Sequence, residues 1–251
     1  MRRGASLALV LATVIWSACG SGDLFRQYEY EEEIYLSLDG SATVYVNTSV
    51  AALNALRGAS IDVGPDGTID LAQVSAMYET AVTRVNRVTQ SRRSGRWFVH
   101  VRLDVADVRR LNEAAPFAWS AYRFNRDGNL FAFHQTIRAA AGKEVGDVGW
   151  TGQEVVAFRL HLPSKVRYHN TTPDNPKRGN IVVWEQRLDE RRHGQPLTLD
   201  ARMDPESILY WTLQLFGATF AAVAVTFGAV IWWILRRAGR LEEKGLEAPA
   251  P

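Results

Sequence analysis

The histidines are the first residues to test for chemistry, because imidazole serves both as a metal ligand and as a general base. No two of them have the H-x-x-x-H or H-E-x-x-H spacing that places two ligands on one helix face. His161 and His169 are separated by Pro163 and form no recognised metal pair. We therefore expect no metal site. The five histidines are His100, His134, His161, His169 and His193.

Known catalytic motifs are absent from the sequence. It contains no G-x-S-x-G, S-x-x-K, Walker A or dinucleotide-binding fingerprint. Asp62 and Asp66 could be paired as an acid and a base. They flank Gly64-Pro65, however, and aspartate is a common residue in such turns. We predict no catalytic residue, no cofactor and no enzymatic activity.

The single cysteine, Cys19, follows a segment with the layout of a secretory leader. Met1-Arg2-Arg3 is positively charged, residues 5–16 are apolar, and Ser17-Ala18 are small. Bacterial lipoproteins carry their acylated cysteine in this position, although Trp16 stands where leucine is usual. We expect residues 1–18 to be a lipoprotein signal peptide and Cys19 to be lipidated. Ordinary cleavage and an uncleaved signal anchor are the alternatives, and a lone cysteine excludes an internal disulfide.

A second hydrophobic segment lies near the C-terminus. Residues 208–235 contain no charge, and a helix of this length reaches about 42 Å, which exceeds the ~30 Å hydrocarbon core of a bilayer. Aromatic pairs at both ends are typical of membrane interfaces. We predict one transmembrane helix at 206–235, with a buried core helix as the alternative. The aromatic pairs are Tyr210-Trp211 and Trp232-Trp233.

The charges that follow this helix predict its orientation. Arg236, Arg237, Arg240 and Lys244 give residues 236–251 the character of a cytoplasmic tail. Residues 19–205 would then form an extracytoplasmic domain of a bacterial cell-membrane protein, held at both ends on one membrane. The net charge of +2 does not indicate a nucleic-acid partner.

The elements of this domain are mostly short strands joined by turns. Alternation of period two and turn signals predict hairpins, and three short helices are expected near 49–57, 70–78 and 107–113. The fold class is therefore α+β, with a mainly antiparallel sheet built from hairpins, a few short helices and one C-terminal transmembrane helix. The predicted hairpins are 27–38 with 42–46, 84–90 with 97–105, 118–125 with 129–138, and 181–187 with 197–203.

The first strand carries four glutamates, Glu29, Glu31, Glu32 and Glu33. A cation site and a patch for a basic partner are two possible functions for them. We expect a solvated strand face instead, because alternate carboxylates on a strand point to water.

Two further groups of side chains are candidates for contact with a lipid or a partner. The arginines of the second hairpin could bind anionic lipid headgroups, or could simply be a solvated sheet face. The aromatic residues of the third hairpin could line a groove for an acyl chain, or could pack in the core. The candidates are Arg84, Arg87, Arg92, Arg93, Arg96, Trp119, Phe131 and Phe133, and the wider sets also include Arg102, Phe117, Tyr122 and Phe124.

One part of the sequence is similar to a known family. The run Arg178-Gly179-Asn180-Ile181-Val182-Val183-Trp184-Glu185-Gln186 precedes a polar turn and the strand 197–201, and the whole lies between a leader with Cys19 and a C-terminal hydrophobic helix. This order resembles the LppM-type bacterial lipoproteins. The resemblance implies an α+β domain that binds envelope lipids without enzymatic activity, and it assigns no ligand residue. Binding to a membrane-protein partner, or an assembly role through the helix and tail, are the alternatives.

Overall fold

The structure is a computed structural model that describes residues 27–172 and 179–246. The signal peptide and Cys19 lie outside the described residues, so their processing stays a prediction. The described chain forms ten strands, four α-helices and two short 3₁₀ helices, which confirms the α+β class. The strands are β1 (Tyr28–Leu36), β2 (Ala42–Ser49), β3 (Thr83–Arg93), β4 (Arg96–Val105), β5 (Ser120–Asp127), β6 (Leu130–Ile137), β7 (Val155–His161), β8 (Ser164–His169), β9 (Ile181–Arg187) and β10 (Leu197–Ser207). The helices are α1 (Val50–Arg57), α2 (Leu71–Tyr78), α3 (Leu188–Arg192) and α4 (Ile208–Leu246), with 3₁₀ turns at Val108–Glu113 and Ala115–Phe117.

The strands form two sheets rather than one. The six-stranded sheet has the order β3-β4-β2-β1-β7-β9, and the four-stranded sheet has the order β5-β6-β10-β8. Every neighbouring pair is antiparallel except β1 and β7. The hairpins β1–β2, β3–β4 and β5–β6 confirm three sequence predictions. The predicted hairpin of 181–187 with 197–203 is wrong, because β9 pairs with β7 in one sheet and β10 pairs with β6 and β8 in the other.

The core lies between the inner faces of the sheets and the short helices. Val44 and Val46 of β2 and Val99, Val101 and Leu103 of β4 are at most 2% exposed. Their outward-facing neighbours are polar, so each strand alternates as expected for an antiparallel sheet with one solvated face.

Local capping residues set the ends of α1 and α2. The Ser49 hydroxyl accepts a hydrogen bond from the Ala52 N–H at 3.0 Å, and Gly58 ends α1 in the left-handed conformation with φ 70°. The Asp70 carboxylate accepts from the N–H groups of Ala72 and Gln73 at the start of α2. These caps confirm both predicted helix boundaries.

The chain enters the hydrophobic helix without a linker. The Ile208 N–H donates to the Pro163 carbonyl at 3.0 Å, and the Ser207 hydroxyl accepts from the Tyr210 N–H at 3.1 Å. The most apolar part of Ile208–Arg237 has a mean hydropathy of 2.0. No residue of this part is buried against the rest of the described chain. This segment is long and apolar enough to cross a membrane.

This junction defines two ends of the six-stranded sheet. At one end, Tyr35 pairs with His161 and with Thr43, close to Pro163 and the start of α4, and we name it the membrane end because α4 is apolar enough to cross a membrane. At the far end, Ser49 pairs with Phe98, next to the β3–β4 turn. Six residues of β2 separate Thr43 from Ser49, which corresponds to about 20 Å.

The acidic face of β1 differs from the expectation of a solvated surface. Glu29 and Glu32 are buried, at 0% and 1% exposure. Glu31 and Glu33 point outward and are only partly exposed; Glu31 forms an ion pair with Arg159 of β7, and Glu33 is hydrogen-bonded to His161 of β7. The expectation was wrong because β1 is an inner strand, and its neighbours supply positive charges on both faces.

Candidate functional site

A cavity lies at the far end of the six-stranded sheet. It has a volume of about 660 Å³ and is bounded by α1, segment 60–63, the start of β4 and the loop 138–154. We call it the groove, and the loop the covering loop. Val50, Ile61, Val63, Trp97 and Val148 provide apolar walls. The volume is within the range of sites for small organic ligands, ~300–1,000 Å³.

The covering loop separates the groove from a second cavity of about 430 Å³. Lys143 and Glu144 line both cavities. The Lys143 ammonium donates to the Ala59 carbonyl at 2.8 Å and to the Ser60 hydroxyl at 2.6 Å. This part of the covering loop therefore forms a wall that the two cavities share.

The second half of the covering loop is tied to β1 and β4 through Glu29. The buried Glu29 carboxylate accepts from Arg96 Nε at 3.0 Å and from Trp150 Nε1 at 3.1 Å. Arg96 also donates to the carbonyls of Val148 and Gly149. Arg96 is therefore a structural residue of the groove, since its charge is already paired inside the protein.

Trp97 forms the wall of the groove beside the turn 64–67. A Cβ built at Gly67 would lie 2.0 Å from Trp97 Cζ2, and Gly67 has a φ of +76°. The indole ring therefore packs directly on the backbone of this turn, and a side chain at position 67 would displace it. Arg92, opposite Trp97 in the β3–β4 pairing, places its guanidinium 5.7 Å from the indole.

A buried polar network holds α1 against the two sheets. Glu32 of β1 accepts hydrogen bonds from Tyr30 (3.1 Å), Arg57 (3.3 Å), Tyr122 (3.0 Å) and Gln135 (2.8 Å). Burial opposes the charge on Arg57, but the neighbouring Tyr30 and Glu32 hold its pKa above the ordinary value. Burial, followed by the charge of Glu32, raises the pKa of Tyr122. Arg57 is therefore cationic and Tyr122 is a neutral donor at neutral pH.

The sequence-predicted arginines do not form one cluster. They are spread along β3 and the start of β4, so that Arg84 lies at the membrane end and Arg92, Arg93 and Arg96 lie at the far end. Arg84 pairs with Asp104 at 3.3 Å, while Arg93 stacks on Phe98 and donates to the Tyr28 carbonyl. Their contact with a lipid or partner stays a prediction, and only Arg96 lines the groove.

The predicted aromatic residues are placed in and around the core. Phe133 is 1% exposed, and Phe131 is partly buried and stacks on Phe124 at 5.3 Å. Trp119 donates from Nε1 to the Arg57 carbonyl at 3.3 Å, which fixes the end of α1. None of the three lines the groove. Ligand contact by these residues stays a prediction.

Ser91, His100 and Asn47 form a hydrogen-bonded chain on the outer face of the six-stranded sheet. Their order is that of a nucleophile, a base and a residue that orients the base. Ser91 Oγ lies 2.7 Å from His100 Nε2, and His100 Nδ1 lies 2.9 Å from Asn47 Oδ1. Burial lowers the pKa of His100, and the charge of Arg93 lowers it further. The chain lies on neighbouring strands outside both cavities, so we assign it to cross-strand pairing. Within 27–172 and 179–246, no group of three or more His, Asp or Glu side chains could hold a metal ion.

The residues of the groove were missed by the sequence predictions for a simple reason. Val50, Ile61 and Val148 come from three segments far apart in the chain, and none of them has an unusual local pattern. One signal was available: residues 138–154 form an irregular connection of a length that is uncommon unless it has a role.

No family model matches the chain, and no curated protein matches it. Among solved structures, the chain is similar to the folded domain of LppM from Mycobacterium tuberculosis, determined by NMR. The identity is 16%, the TM-score is 0.40, and the match covers 72% of this chain and 92% of that domain. The likeness concerns the fold and carries no information about a ligand.

Proposed function

We propose that this is a non-enzymatic, membrane-anchored protein of the bacterial envelope whose extracytoplasmic domain binds a lipid in the groove. The observation that carries the proposal is the groove itself. Its apolar walls suit an acyl chain, and Arg92, whose guanidinium lies 5.7 Å from the indole of the lining residue Trp97, suits an anionic headgroup.

The position of α4 supports attachment to a membrane. Trp211 and Trp232 are 21 residues apart, which in a helix is about 32 Å and close to the ~30 Å hydrocarbon core. Arg236 and Arg237 lie beyond the second aromatic pair, with guanidinium groups 4.9 Å and 5.3 Å from the rings of Trp232 and Trp233. The positive charges favour a cytoplasmic C-terminus. A fluorescent protein fused after Pro251 should then fold and fluoresce in the cytoplasm.

The groove lies about 20 Å from the membrane end along the sheet, measured as the rise of six strand residues. A lipid bound there would be lifted out of the membrane surface. The proposed role is therefore to hold or present a lipid molecule rather than to lie against intact bilayer.

Native mass spectrometry of the full chain, extracted from a bacterial envelope in dodecyl maltoside, tests the proposal. We expect a co-purifying mass in the lipid range, and we expect Ala51→Trp to remove it by filling the groove. Ala76→Trp, at an exposed position of α2, is the matched control and should retain the lipid. A wild-type chain without bound lipid, or equal retention in both variants, would refute lipid binding in the groove.

An assembly role through the helix and tail is the second candidate. It rests on the cationic cluster at the end of the apolar segment, Trp232, Trp233, Arg236 and Arg237, which forms a surface of its own. Deletion from Arg236 onward should abolish such a role while the groove still binds its ligand.

A further inference from the structure

Two arginines face each other on the outer surface of the six-stranded sheet. Arg87 of β3 is the direct cross-strand partner of Arg102 of β4, and both are exposed. Directly opposed residues have Cβ atoms about 4.5–5.5 Å apart, so the two arginine side chains leave the sheet from adjacent positions on its outer surface. A bulge between Val85 and Arg87 brings Arg87 into this register.

Carboxylates neutralise the charges of this arginine pair only in part. In the part of the chain that the structure describes, neither Arg87 nor Arg102 forms an ion pair. The hydrogen bond from Asn86 lowers the pKa of the nearby Asp104, and Arg84 and the charge of Arg102 lower it further. Arg102 instead lies 5.6 Å from the ring of Tyr45. Like charges directly opposite each other destabilise a sheet, so the isolated domain carries a cost that a bound anion would remove.

We propose that Arg87 and Arg102 form an anion site that binds a phosphate group. Guanidinium groups bind phosphate oxygens through two parallel N–H donors, and two opposed arginines can hold one phosphate from both sides. The phosphate has two possible sources, the headgroup of an anionic phospholipid or free inorganic phosphate. The site lies on a different surface from the groove and does not depend on lipid binding there, whereas its assignment to a headgroup rests on the proposed membrane attachment.

The position of the site favours the headgroup. The neighbouring row across the sheet contains Asp104, Thr43, Tyr35 and His161, at the membrane end beside Pro163. Arg102 is two residues from Asp104, which is about 7 Å along the strand. The arginine pair therefore lies near the level at which α4 enters the membrane, where phospholipid phosphates are found.

The test uses the full chain in dodecyl maltoside and native mass spectrometry with short-chain phosphatidylglycerol or phosphatidylcholine. At about 1 kcal/mol for each arginine near a charged surface, Arg87→Gln/Arg102→Gln should weaken phosphatidylglycerol binding about 30-fold. Arg123→Gln/Arg138→Gln removes two exposed arginines from β5 and the end of β6 and is the matched control. It should bind like wild type, and phosphatidylcholine should bind weakly to all three chains.

Equal phosphatidylglycerol binding by the two double variants would overturn the site. The same titration in an Ala51→Trp background separates it from the groove, because filling the groove should leave the difference between the variants unchanged. A difference that disappears in that background would overturn the site as well.

A third arm distinguishes the two sources of phosphate. Inorganic phosphate is titrated while the arginine Nε–H resonances are followed by NMR. The Arg87 and Arg102 resonances could shift at inorganic phosphate concentrations lower than the phosphatidylglycerol concentrations needed for binding. This result would support an anion site for a soluble ligand and would overturn the assignment to a lipid headgroup. Arg87→Glu, which can pair with Arg102, provides a folded variant without the site if the double glutamine variant does not fold.

Discussion

The Glu32 carboxylate lies 3.3 Å from the Arg57 guanidinium, and the two side chains are 0% and 4% exposed. Glu32 belongs to the centre of the six-stranded sheet, whereas Arg57 is the last residue of α1, the helix that forms one wall of the groove. The same carboxylate accepts from Tyr122 and Gln135 of the four-stranded sheet. This buried pair therefore joins both sheets to the helix beside the candidate site.

Glu32→Gln should destabilise the protein strongly. The substitution preserves the shape of the side chain but leaves the Arg57 charge buried and unpaired, which costs about 3–5 kcal/mol in free energy of unfolding. Chemical unfolding of the full chain in detergent, followed by tryptophan fluorescence, measures the change. Glu31→Gln, in the partly exposed pair with Arg159, is the control and should cost less than about 1 kcal/mol. Similar losses in the two variants would contradict the role of the buried pair.

Replacing both partners of the buried pair should recover most of the lost stability. Glu32→Leu/Arg57→Met removes both charges together, and buried ion pairs exchanged for apolar residues of similar volume are often neutral or stabilising. The same unfolding measurement applies. A double variant less stable than Glu32→Gln would show that the hydrogen bonds to Tyr122 and Gln135, rather than the charge pair, dominate.

Gly67→Ala should damage the wall of the groove, whereas Gly128→Ala, outside the groove, should not. Both glycines have a positive φ, 76° and 61°, so an added Cβ causes similar backbone strain of about 1 kcal/mol at each. Only the Cβ at position 67 meets Trp97, since nothing lies within 4 Å of the Cβ at Gly128. We expect an additional loss of about 1–3 kcal/mol at position 67, together with weaker ligand binding in the groove. Equal melting temperatures for the two variants would contradict the packing of Trp97 on Gly67.

The outward hydrogen bond between Glu33 and His161 predicts an acid-sensitive contribution to stability. The hydrogen bond from His161 is the main cause that lowers the pKa of Glu33 below its ordinary value. A carboxyl group with a lower pKa in the folded state stabilises that state above the unfolded pKa. This contribution is lost as the pH falls through the folded value. Wild type should therefore lose more stability than Glu33→Gln between about pH 5 and pH 3. Parallel melting curves for the two proteins over this range would argue against the contribution.

Arg87→Glu should stabilise the protein. The variant replaces a directly opposed pair of like charges with an ion pair to Arg102, and such cross-strand changes contribute roughly 0.2–1 kcal/mol. Thermal melting in detergent at low salt measures the gain, and added salt should reduce it. The control is Arg123→Glu on β5, which should change the melting temperature less. A lower melting temperature for Arg87→Glu would mean that Arg87 stabilises the fold and would argue against its role in an anion site.

Features that depend on neighbouring residues in the chain could be predicted from the sequence alone. The alternation of β1, β2, β4 and β6, the caps Ser49 and Asp70, and the charge-free segment 208–235 are local patterns. Each is determined by the pleat of a strand, by the orphan N–H groups of a helix end, or by the thickness of a bilayer. These patterns are sufficient for the α+β class and for the apolar helix.

Only the tertiary structure decided how the last strands pair and whether the glutamates of β1 are buried. A strand pattern shows which residues share a face, but it does not show which other strand or charge covers that face. Glu32 is buried because Arg57, Tyr122 and Gln135 reach it from 25, 90 and 103 residues away. The groove likewise exists only where α1, β4 and the covering loop meet. Burial of a charge and formation of a cavity depend on long-range packing, because desolvation is tolerated only when distant groups replace the water.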